Sequence, residues 1–121
     1  MANTIAKSAT ITTAQAAAQT ATSNGTAVDV SGAQSVLVMM DHSTGTTGIV
    51  TFERSIDGNE WTQAGATRLS DGSAVTNSAT TAAESSEIYQ IALKDGVNQI
   101  RCRISTAWTT AGCLTRVIVL R

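Results

Sequence analysis

Apolar residues fall in short alternating runs from residue 26 to the end of the chain, and Gly-bearing turns separate the runs. The cleanest run covers residues 99–105. Ile100, Cys102 and Ile104 share one side of an extended chain, with Arg101, Arg103 and Ser105 on the other. A period of two is the signature of a strand with one face in a core. Residues 48–55 alternate in the same way, with Val50 and Phe52 on one side. Residues 87–93 set Tyr89, Ile91 and Leu93 against Ile88, Gln90 and Ala92. Residues 35–40 form a continuous apolar run, which predicts a strand covered on both faces. A short strand is expected over 27–30, an interrupted one over 61–69, a weak edge strand near 74–76 and a final one over 112–120.

The turn chemistry supports strands over helices. Asp57-Gly58 separates Phe52 from Trp61, and Asp-Gly between alternating segments is a strong hairpin signal because Gly accepts positive φ. Asp71-Gly72 and Asp95-Gly96 repeat the device. Turn signals every eight to twelve residues, without a stretch long enough for a helical crossover, predict an all-β antiparallel β-sandwich, jelly-roll or Ig-like. Residues 1–25, rich in Ala, Thr and Gln, have no sustained period and are expected to form an extended N-terminal arm. The sandwich domain is then residues 26–121.

Composition sharpens this picture. The chain has 121 residues, enough for one domain. Aromatic residues are 3 % of it, so the core rests on Val, Ile, Leu, Ala and Met and is thin. Charged residues are 14 %, against roughly 25 % in ordinary proteins. Such an exterior suits a protein that packs against others. A net charge of −1 offers no basic surface for nucleic acid. No apolar run reaches membrane-spanning length, so no membrane partner is expected. The segment after Lys7 is too polar for a signal-peptide core, and the Asn24-Gly25-Thr26 sequon reads as a turn.

Candidate chemistry is sparse. His42 is the only histidine and follows the apolar run as a strand-end residue, with no nucleophile elbow in the chain. Asp29, Asp41, Asp57, Asp71 and Asp95 fall mostly at turns, where Asp binds nearby amides. Glu53 and Glu60 flank one hairpin, where carboxylates are usually solvated. No catalytic residue, metal or cofactor is expected. Cys102 and Cys113 sit symmetrically about residues 106–109. Pairing of Ser105 with Thr110 would set them directly across a hairpin, as a disulfide or, the reading preferred here, as two reduced neighbours.

Ser55-Ile-Asp57-Gly58-Asn-Glu-Trp61 is similar to the Asp-box of sialidase-type propellers, but one copy does not make a propeller. A wider likeness covers most of the domain. Thr26-Ala-Val-Asp-Val-Ser-Gly, Val50-Thr-Phe-Glu-Arg-Ser-Ile-Asp-Gly-Asn-Glu-Trp61 and the Ile100-Arg-Cys-Arg-Ile strand with its closing Gly112 hairpin resemble small β-sandwich structural proteins of tailed bacteriophages. In that pattern Phe52, Asp57, Gly58 and Trp61 build a structural hairpin, with Trp61 in the core. The resemblance implies a non-enzymatic capsid decoration, or cement, protein on the virion surface, assembled in the host cytoplasm. Its partners would be the major capsid protein and further copies of itself. Trp108, at a loop tip, and Ile5, Ile11, Gln15 and Gln19, in the arm, are the interface candidates. A carbohydrate-binding module using Trp108, and a tail, neck or fibre component, are the alternative readings.

Overall fold

The computed structural model describes residues 8–15, 22–42, 48–76, 85–94, 96–106 and 113–121, without the side chains of His42, Ser85 and Cys113. These residues form β1 (Ala9–Gln15), β2 (Ser23–Asn24), β3 (Val28–Asp29), β4 (Ser35–His42), β5 (Ile49–Ser55) and β6 (Thr62–Gln63). The series continues with β7 (Ala66–Arg68), β8 (Ala74–Val75), β9 (Ser85–Ile91), β10 (Gln99–Thr106) and β11 (Cys113–Leu120).

All strand pairs are antiparallel, in two sheets packed face to face. The six-stranded sheet runs β1-β11-β4-β9-β7-β8. The five-stranded sheet runs β2-β10-β5-β6, with β3 continuing the β2 edge of β10. The fold is therefore the all-β antiparallel sandwich that the alternation predicts.

Its core is what each strand's inward side supplies. Val36, Val38, Met40, Tyr89, Val117 and Val119 come from the six-stranded sheet, and Val50, Phe52, Ile100, Cys102 and Ile104 from the other; all are essentially solvent-free. Phe52 and Tyr89 meet between the sheets with ring centroids 5.0 Å apart and planes tilted 53°, a favourable edge-biased geometry. The β-branched residues sit where a pleated, half-buried surface favours them.

Connections pass between sheets repeatedly. The interruption expected near Gly65 is such a passage. β6 pairs with β5, whereas β7 pairs with β9, and the bonds Ala64 N to Phe52 O (2.8 Å) and Ala92 N to Gly65 O (2.8 Å) hold the corner. Thr76, just past β8, accepts from Phe52 N at 3.2 Å and ties this end of the six-stranded sheet to the other sheet.

The opposite lateral edge is tied by the segment expected to be an arm, and this corrects the domain boundary. β1 pairs with β11 from Ala9↔Leu120 to Gln15↔Thr115, with a bulge between Thr13 and Gln15. Thr26 N donates to Ala14 O at 3.1 Å. The Gln15 amide Nε2 donates to the carbonyls of Cys102 (2.9 Å) and Ser23 (3.3 Å). At Gly25 the backbones come so close that a Cβ would lie 2.2 Å from Cys102 O and 2.8 Å from Ala14 O. Residues 8–15 and 22–25 thus belong to the sandwich, which does not begin at residue 26.

Two further expectations are revised. The 35–40 run lies centrally in its sheet, but only Val36, Val38 and Met40 face the core; Leu37 and Met39 face outward and are half-buried. The cysteines are not cross-strand neighbours, because β10 and β11 lie in different sheets. Cys102 stands opposite Phe52, and Cys113 stands opposite His42.

Candidate assembly surfaces

The hairpin between β5 and β6 is organised by one carboxylate. Asp57 Oδ1 accepts from the amides of Asn59 (2.8 Å) and Glu60 (2.9 Å) and from the Ser55 hydroxyl (3.2 Å), and Ser55 Oγ accepts from Gly58 N (2.7 Å). Gly58 takes φ +82°, a region that side chains avoid. The amides of Glu60 and then Asn59 hold the Asp57 carboxyl below its ordinary value of about 3.8. The Ser31 hydroxyl and amide do the same for Asp29, and the Ser73 hydroxyl and amide for Asp71. These are turn carboxylates stabilised as anions by local donors. Beside the hairpin lies an open cleft of about 410 Å³ between Arg54, Ile56, Glu60 and Lys94.

Trp61 is not in the core. It is half-buried, with the Arg101 guanidinium carbon 4.2 Å from its ring centroid, a cation–π contact. Arg101 Nε also bonds Glu53 Oε1 at 2.7 Å. The Phe-Glu-x-Ser-x-Asp-Gly-x-x-Trp string thus splits by face, with Phe52 inward and Glu53 and Trp61 on the outside. Glu53 is engaged by Arg101, so the structure does not present it as half of a carboxylate pair with Glu60.

The outer faces of the sheets differ sharply. On the five-stranded sheet the outward positions of β5, β6 and β10 are Ile49, Thr51, Glu53, Ser55, Gln63, Gln99, Arg101, Arg103 and Ser105. On the six-stranded sheet the register instead gathers aliphatic side chains toward the middle of the face, with Gln90, Thr13, Ser35 and Ser86 at the ends of the rows. Ile11, Ile118 and Leu37 stand side by side on β1, β11 and β4. Arg116, Met39 and Ile88 form the next row on β11, β4 and β9. Leu120 lies above them, Leu114 beside Asp41 lies below, and Leu69 joins Ile88 through a 2.9 Å backbone bond. Ile11 is 64 % exposed and Leu69 48 %.

Of the interface candidates, Ile5, Gln19 and Trp108 lie outside the described residues. Ile11 is on the aliphatic face, at its edge. Gln15 is buried and spent on holding β1 to β10, so it is not available to a partner. The outward residues of β4, β9 and β11 were missed by the sequence reading. The signal was the unbroken apolar run at residues 35–40, read as doubly covered when one of its faces is the molecular surface.

Among the described residues, no group of three His, Cys, Asp or Glu side chains is gathered to hold a metal ion. No family model and no curated protein matches the sequence. The architecture is that of a small two-sheet antiparallel sandwich, and it recurs among solved structures. The crystal structure of SPBc2 prophage-derived protein YomS has this fold at a TM-score of 0.78 and 19 % identity, covering 100 % of this chain and 99 % of that one.

Proposed function

We propose that this chain is a non-enzymatic structural protein of a tailed-phage virion, and more specifically a decoration protein that clamps the outer surface of the major capsid protein lattice and stabilises the head. The observation that carries the reading is the full-length match of fold to a prophage-derived protein, end to end in both chains. The surface supports it: one sheet face carries a cluster of aliphatic side chains, and 14 % charged residues leave the exterior easy to cover. The polar face with its Trp61–Arg101–Glu53 stack and the rigid Asp57 hairpin present groups suited to a lattice of mixed polarity.

Co-sedimentation with undecorated shells of its virion tests the proposal. Saturable binding, at a fixed ratio to capsid subunits, is the expected result. Absence of saturation at large excess over shell sites, with the same preparation folded by circular dichroism, overturns it.

A further inference from the structure

We infer that the outer face of the six-stranded sheet is a self-association surface, on which a second copy of this chain packs sheet to sheet. The inference goes beyond the decoration reading, because it needs no capsid. Ile118, Leu37, Met39 and Ile88 form its centre and Ile11 its margin, aligned by strand register. Four strands spaced ~4.8 Å and seven residues rising ~3.4 Å each give about 460 Å² per copy, so two copies bury about 900 Å², just under the roughly 1,000 Å² where specific interfaces begin and in the range of weak, reversible ones.

Charge favours a like partner. Among the described residues of β1, β11, β4 and β9, the outward charged groups are Arg116 and Asp41, one of each sign. An isologous contact is reciprocal, so a cation that reaches the partner's anion is matched by the converse pair. The face is neutral in sum and opposes no second copy of itself. Aligned packing of two such sheets, about 10 Å apart, reproduces outside the molecule the arrangement already present within it.

Analytical ultracentrifugation of the full chain alone, over roughly 1 to 200 µM, reads this out. A reversible monomer–dimer equilibrium is expected, with a Kd on the order of 10–100 µM, as suits an interface at the lower size limit. Leu37→Lys, at the centre, and Ile11→Lys, at the exposed margin, should each raise that Kd about tenfold or more. Their circular dichroism should match the parent; if Leu37→Lys impairs folding, Ile11→Lys still decides. Arg103→Glu, on the other sheet's outer face, should leave the dimer unchanged. A monomer at every concentration overturns the inference, even one that binds shells, since the face would then belong to the lattice. A dimer indifferent to Ile11→Lys and to a folded Leu37→Lys overturns it equally. Because no shell is present, failure here leaves the decoration proposal standing.

Discussion

Gly25 shows how one atom can hold the account to a test. Its backbone passes so near Cys102 O and Ala14 O that a methyl group has no room. Gly25→Ala should therefore cost about 3 kcal/mol or more by overpacking, measured by urea unfolding; a loss under about 1 kcal/mol would mean the seam is looser than described. Tyr89 works in the opposite direction. Its ring is fully buried, with the Arg68 guanidinium carbon 5.9 Å from the centroid; Arg68 is the neighbouring donor, but among the described residues none meets the Tyr89 hydroxyl in full hydrogen-bond geometry. A buried unsatisfied hydroxyl costs about 1–3 kcal/mol, so Tyr89→Phe should raise stability by roughly 1 kcal/mol. A drop of that size would reveal a hidden partner for the hydroxyl.

The turn carboxylates contribute to the dependence of stability on acid. Asp57, Asp29 and Asp71 are all held below about 3.8 by donors formed on folding. Their folded pKa values are depressed, so the stability they contribute is present above the unfolded value and is lost as pH falls through the folded one. Thermal unfolding should be nearly flat from neutral pH to about 5 and should decline below about pH 4. Asp57→Asn should lower the plateau, and its gap from the parent should close as the pH drops. A gap that widens in acid would contradict this sign.

Among the elements, β10 and the Asp-Gly turns were legible because their signals are local. Ile100, Cys102 and Ile104 alternate within seven residues, and the glycines at 58, 72 and 96 take the positive φ their turns need. β1 was not legible. Thr10, Thr12 and Ala14 are too small to announce an inward face, and the strand exists because β11 offers it a partner a hundred residues away. The same distance effect misplaced the cysteines: β10 and β11 are consecutive, so a hairpin was the local expectation, but the sandwich sends them to opposite sheets. Deleting residues 1–23 should therefore destabilise the sandwich itself. It uncovers Val117 and Val119 along the β11 edge and removes Ala14 and Gln15 from the seam. Loss of a cooperative thermal transition is the expected outcome. A truncated chain that unfolds at the parent temperature would restore the view of this segment as an accessory arm.

Taken together, both lateral edges are stitched, by Gln15 and Gly25 on one side and by Thr76 on the other. What this scaffold displays is one face with an aliphatic centre, one more polar face and a set of rigid turns. The strand pattern made the sandwich readable. The faces were not separable from the sequence, because a row such as Ile11, Ile118 and Leu37 is assembled from three distant strands. Cryo-electron microscopy of undecorated shells, incubated with the protein and compared with untreated ones, bears straight on the proposed role. Added density of this sandwich's size, repeated at equivalent positions over the outer surface of the capsid subunits, is the expected result. Shells indistinguishable from the untreated sample at saturating protein would contradict it.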